Sequence, residues 1–287
     1  MNNVVVFYIL KIFYVVIRII RRNMPIFLYK WLMHKNIVMI DNIGHNQPYK
    51  LIKYYSNVID EKKYSLQNKT IFECGAGEYP GSGIAYIEKG AELVIHNDPG
   101  IIKNKEKIKK YLFKEFNSYF DRIELKQNEL IYNNKGKIVY SCDYLQNIEL
   151  AEKTVDLIIS YSVMEHLKNI ETCFNEMYRI LKSGGAMIHF IDLRDHFFFL
   201  PFHFLLFSEK IWNNFLTPKE GFYLNRLRKC DYENILKNYE WSEIEIKVLE
   251  NDINAVKNVY KKVDIMYKDI EINKLSSTVL RIYCVKK

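Results

Sequence analysis

The chain has 287 residues, 49% of them hydrophobic, which is ample for the core of one α/β domain with additions. Its formal net charge is +8, but the lysines and arginines are scattered among Asn, Tyr and Ile rather than gathered in a patch, so no nucleic acid is expected as a partner. The five cysteines form no CxxC pair and have no histidine at ligand spacing, so no metal is expected; Cys74, Cys142 and Cys284 read as small apolar residues of a reducing cytoplasm.

The first element is an apolar helix. Val4 to Ile20 is interrupted only by Lys11 and Arg18, Arg21 and Arg22 follow, and Met24 to Met33 is apolar again apart from Lys30. At about 100° per residue, Lys11, Arg18 and Arg22 fall in one narrow stripe. No uncharged run reaches the ~18 residues of a membrane span, and a central lysine costs about 2.5–3.5 kcal/mol on an insertion scale. Residues 1–34 are therefore expected to form an interfacial helix on the cytoplasmic face of a membrane, with the basic side chains snorkelling to lipid phosphates. Packing onto the domain or onto a second copy, giving a homodimer, is the alternative.

Residues 47 to 64 read as a helix with Leu51, Tyr54, Tyr55 and Val58 on its apolar side. Next comes Thr70-Ile71-Phe72-Glu73-Cys74-Gly75-Ala76-Gly77-Glu78-Tyr79-Pro80-Gly81-Ser82-Gly83, a short strand opening into glycines. Glycines at such a turn admit φ > 0 and let a ligand approach the backbone. Asp98, after the apolar run 91–96, lies 23 residues beyond Gly75, near where a nucleotide-binding α/β unit places the carboxylate for ribose hydroxyls. Gly81 comes one residue late for GxGxxG, and Glu73 suits a cationic amino group better than a pyrophosphate, which counts against NAD. The basic run from Lys103 to Lys110 precedes Leu112, Phe116 and Phe120 at four-residue spacing, so an inserted helix is expected there.

The Glu-x-Gly-x-Gly turn resembles the first motif of class I S-adenosylmethionine (SAM) methyltransferases. The resemblance continues in order over residues 65–195: Tyr140-Ser141-Cys142-Asp143 after a strand at 137–140, Thr154 to Ser160 running into Met164-Glu165-His166, and Phe174 to Gly185 as an amphipathic helix with a Gly-Gly turn. It implies a doubly wound, seven-stranded Rossmann-like methyltransferase sheet, with SAM as cofactor and Asp143 near the adenine. Strands are expected at about 70–73, 91–96, 137–140, 155–160 and 186–191, with Trp241 to Val248 and Ser277 to Val285 as a final antiparallel pair. Ligands of such sheets lie at the carboxyl ends of the strands, which makes Glu73, Gly75, Ala76, Gly77, Asp98, Asp143 and Ser160 the expected cofactor residues.

The domain is expected over residues 35–287, interrupted by an aromatic insertion at about 193–230. In related folds the segment after strand five covers the acceptor. Here it begins Asp192-Leu193-Arg194-Asp195-His196 and runs through Phe197 to Phe207. Three readings of it stand: it encloses an apolar acceptor, docks on the N-terminal helix and a membrane, or adds a helix to the core. The expected function is methyl transfer to a small-molecule, saccharide or lipid-linked acceptor at a hydroxyl, with His196, Asp192 or His166 removing the proton. A non-catalytic adaptor of the same fold at a membrane is the alternative.

Overall fold

The computed structural model describes residues 3–35, 48–77, 81–102, 104–126, 129–132, 135–195, 200–219 and 223–287. Two helices, α1 (Asn3–Arg22) and α2 (Ile26–His34), precede the domain, which opens with α3 (Pro48–Glu61). Then follow β1 (Thr70–Cys74), α4 (Gly83–Glu88), β2 (Leu93–Asn97), α5 (Lys105–Glu115), β3 (Ile123–Leu125), β4 (Glu129–Tyr132) and β5 (Gly136–Ser141). The second half holds β6 (Val155–Tyr161), α6 (Ile170–Ile180), β7 (Leu181–Asp192), α7 (Lys229–Leu236), β8 (Trp241–Asn251) and β9 (Ser277–Lys286).

The strands form one sheet in the order β3-β4-β5-β2-β1-β6-β7-β9-β8. Strands β5, β2, β1, β6 and β7 are parallel, while β9 and β8 close one side antiparallel. The chain builds outward from β1 through β2 to β5, then crosses back to lay β6 on the other side of β1. That reversal puts the topological switch point, where such sheets open a crevice, between the carboxyl ends of β1 and β6.

Alternation along the central strands fills two core layers. Ile71, Val94 and Leu157 face Tyr55, Val58 and Ile59 of α3, while Phe72, Ile158 and Met187 face Phe174 and Met177 of α6. Burial on both faces is what the nearly continuous apolar runs of these strands require.

Among the described residues the seven expected strands are present and two short ones join them. The extra pair, β3 and β4, extends the β5 edge antiparallel. The inserted helix ends at Glu115 and a 3₁₀ segment, Asn117–Arg122, leads into that pair. Leu112 and Phe116 are buried, as the spacing asks. Strand β7 also begins earlier than expected: Leu181 pairs with Val155, and a register shift before Leu157 absorbs the Gly184-Gly185 turn.

The insertion after β7 has a core of its own, in which Phe202, Phe204, Leu205 and Trp212 pack against Phe7 and Tyr14 of α1 and against Val256, Val259 and Leu275. Docking on the N-terminal helix is thus the observed arrangement. Of the basic stripe Lys11, Arg18 and Arg22, Arg18 turns inward, as does the neighbouring Arg21. Arg18 is buried against the Asp195 carboxylate and over Trp212, and Arg21 is buried over the ring of Tyr29, 3.5 Å away. Desolvation of a guanidinium is tolerated here because a carboxylate or a ring face meets it.

Candidate active site

The glycine turn sits at the switch point. Gly75 (φ +67°) and Gly77 (φ +81°) adopt the left-handed conformation that favours glycine. A Cβ at Gly75 would stand 2.2 Å from Cγ2 of Val163, which follows β6. Gly75 N–H and Ala76 N–H donate to the Asn97 carbonyl at 2.7 and 3.2 Å, and Gly77 N–H donates to Asp98 Oδ2 at 3.0 Å. Asp98 Oδ1 accepts from Gly100 N–H at 2.7 Å. A backbone turn bare of side chains therefore stands beside a carboxylate at the end of β2.

The third loop is tied to the same point. Asn97 Nδ2 donates to the Asp143 carbonyl (2.9 Å) and to Ser141 Oγ (3.1 Å), and Ser141 Oγ donates to the exposed Asp143 carboxylate at 2.8 Å. Ser141, Cys142, Asp143, Ile101 and Ile102 border a cleft of about 480 Å³ that continues along β2 and β5.

Glu73 is buried beneath the turn. Its Oε2 accepts from Ser82 Oγ and lies 2.8 Å from His96 Nδ1. Because Gly83 N–H donates to His96 Nε2 at 3.2 Å, the imidazole proton belongs on Nδ1, facing Glu73. The chain Glu73–His96–Gly83 fixes the glycine turn to the start of α4. Sequence reasoning missed His96, although a histidine inside the otherwise apolar run before Asn97-Asp98 was the available signal.

Residues 115–189 match the family model described as a methyltransferase domain. The glycine turn, Asp98 and the Asp143 loop gather at the switch point of a sheet closed by an antiparallel pair, and the match identifies a methyltransferase domain within the chain.

Solved structures are similar to this chain at low identity. A putative SAM-dependent methyltransferase of Methanococcus maripaludis is 17% identical, with 85% of this chain and 89% of that one covered at a TM-score of 0.46. A SAM-dependent methyltransferase of Methanosarcina mazei is 13% identical, with 79% and 96% covered at 0.49. Phosphoethanolamine N-methyltransferase 2 of Haemonchus contortus, solved with phosphomonomethylethanolamine and S-adenosylhomocysteine, is 15% identical, with 93% and 60% covered at 0.48. No curated protein matches the chain.

The residues fit SAM. The positive-φ glycines let a ligand approach the backbone of the turn closely, and Asp98 offers the anionic acceptor that a ribose diol needs. Ser160, expected at the sheet edge, is instead wholly buried, with Oγ 2.7 Å from Nδ1 of His189 on the neighbouring strand. Burial pushes His189 down to about 3, so this imidazole is neutral.

On the other side of the methyltransferase turn, β6 runs into Ser162 (φ +53°) and Val163, then a 3₁₀ turn, Met164–His166. His166 Nδ1 lies 2.6 Å from the Tyr223 carbonyl, which selects the tautomer protonated at Nδ1 and makes Nε2 the basic nitrogen. Asn225 clamps this turn by donating to the carbonyls of Met164 (2.7 Å) and Leu167 (3.3 Å). At the end of β7, Asp192 binds Arg194 through both oxygens, at 2.7 to 3.2 Å, and its N–H donates to the buried Glu165 Oε1. Tyr161 stands nearby, pushed up to about 12 by burial, then by Tyr54 and the Asp192 charge.

The cluster from Asp192 to His196 is divided. Asp192 and Arg194 pair with each other, whereas Asp195 turns away to Tyr14 and Arg18 of α1. His196 lies outside the described residues. Arg228, missed in the sequence, locks the insertion from inside: its buried guanidinium donates to the carbonyls of Leu193, Leu275 and Ser277, and burial lowers it to about 10.

Proposed function

We propose that this enzyme moves a methyl group to a hydroxyl of a small-molecule, saccharide or lipid-linked acceptor held between the ends of β6 and β7 and the insertion. When bound, SAM supplies an electrophilic methyl on a cationic sulfur. The chain's own residues then have two tasks. The Gly75–Gly77 turn and Asp98 hold and orient the cofactor, and Asp143 borders its adenine end; alignment of this kind supplies much of the acceleration in a direct transfer. The acceptor's proton is the second task, and the single observation that carries the hydroxyl reading is the Nδ1–Tyr223 hydrogen bond of His166, which presents Nε2 as the proton acceptor. Asp192, with both oxygens engaged by Arg194, fits a positioning role beside it. The helices of residues 1–34 are proposed to keep the domain against the cytoplasmic face of a membrane.

The test is incubation of the full-length protein with methyl-labelled SAM and fractionated cell extracts, read by mass spectrometry. Label appearing on a hydroxyl of a polar, saccharide or lipid-linked compound supports the reading. SAM binding without label in any fraction favours the adaptor.

A further inference from the structure

The helix α1 is inverted relative to an ordinary amphipathic surface helix. Its arginines point into the protein, and every outward position from Val4 to Ile20 is apolar, with Ile12 at 64% exposure. The same character continues on α2, where Phe27 is 73% and Trp31 52% exposed, and on the adjoining turn of the insertion, where Ile211 and Phe215 stand out. That adjoining turn is held to α1 by Arg22, which donates to the carbonyls of Thr217 (2.7 Å) and Asn213 (3.4 Å). Large apolar side chains exposed in such number over two successive helices mark an interaction surface, since single scattered ones are what an ordinary monomer shows.

From this surface we infer that the outward face of α1 and α2 inserts into the acyl-chain boundary of an anionic bilayer leaflet. The inference rests on the membrane part of the reading above and defines its mode: hydrophobic insertion, not attraction through the stripe of Lys11, Arg18 and Arg22. No helix among the described residues is long and apolar enough to cross a membrane, which fits a helix lying in the plane. Charge selects lipid over a second copy. Arg18 and Arg21 are buried, but Lys11 and Arg22 are half-buried at the margin of the apolar face and Lys35 is exposed, and the sequence has no acidic residue before Asp41. Two copies joined through this face would bring those cations together with no carboxylate of the segment to meet them, whereas anionic headgroups complement them.

Trp31 makes the test direct, because the other two tryptophans, Trp212 and Trp241, are buried. Full-length protein is mixed with vesicles of phosphatidylcholine and phosphatidylglycerol whose acyl chains carry bromine. Quenching of the Trp31 emission, absent in Trp31→Phe and persisting at high salt, is the expected result. The double variant Ile12→Asp/Val16→Asp should bind vesicles about tenfold more weakly or worse while SAM binding is unchanged. Absence of quenching, or binding abolished by salt, overturns the inference. So does a dimer in light scattering that the double variant dissociates, which assigns the face to a second copy. If the double variant misfolds, quenching in the wild type still decides. SAM binding and turnover measured without vesicles report on the chemistry independently.

Discussion

Gly77 and Asp98 are joined directly: the Gly77 N–H donates to Asp98 Oδ2 at 3.0 Å while the other oxygen holds Gly100. One carboxylate thus bridges the loops after β1 and β2, and the chemistry of the site depends on keeping both loops bare. Gly75→Val places a branched side chain at φ +67° and against Val163, whose Cγ2 is 2.2 Å from even a Cβ. It should abolish SAM binding in a calorimetric titration and lower the melting temperature, since either loop must move.

His166 is expected to act in turnover and not in cofactor affinity. His166→Ala should reduce turnover on the true acceptor by about 10²–10⁴-fold, the usual range for general-base catalysis, with SAM affinity nearly unchanged. Asp192→Asn and His196→Ala run in parallel separate the three candidates. Full turnover in all three would mean that alignment alone drives the transfer.

The neutral, buried His189 makes stability sensitive to acid. Its folded value of about 3 lies below the ordinary imidazole range, so the unfolded chain binds the proton first, and the contribution is present above about pH 6.5 and lost as the pH falls towards 3. His203, lowered to about 4 by burial, adds in the same direction. Urea unfolding should show about 2 kcal/mol lost per such histidine between pH 6.5 and pH 5, at about 1.4 kcal/mol per unit. His189→Gln should flatten that slope.

Asp195 links the insertion to α1 through Arg18 and Tyr14. Asp195→Ala leaves the Arg18 guanidinium buried without that carboxylate and should cost about 3–5 kcal/mol. Limited proteolysis should then cut within 200–228, and the double change Asp195→Ala/Arg18→Met should restore much of the protection.

Deleting residues 1–34 strips Phe7 and Tyr14 from the core of the insertion. Turnover and resistance to proteases in the insertion should fall, while SAM binding should persist, since Gly75, Gly77 and Asp98 are held by β1, β2 and their loops. Loss of SAM binding on truncation would show that the helices support the cofactor turn as well.

The central fold was legible because its signals are local. The run Thr70 to Cys74 followed by glycines, the carboxylate at Asp98, and the alternation in Trp241 to Val248 and Ser277 to Val285 each report on their own neighbourhood. What escaped depends on partners distant in sequence. Ser160 stands near the end of β6 where an edge residue was expected, yet its hydroxyl is captured by His189, its partner on the neighbouring strand. Arg18 lies in a stripe that reads as membrane-facing until Asp195, far along the chain, is brought against it. The short strands β3 and β4 have only three and four residues, too few for periodicity to register.

The account stands most directly on a calorimetric titration of the full-length protein with SAM, S-adenosylhomocysteine and NAD, repeated with Asp98→Ala. It predicts one site per chain for SAM and S-adenosylhomocysteine, none for NAD, and a loss of roughly 1.5–3 kcal/mol in the variant, about 10- to 100-fold in affinity. Undiminished SAM binding in Asp98→Ala, or tight NAD binding by the wild type, would contradict it.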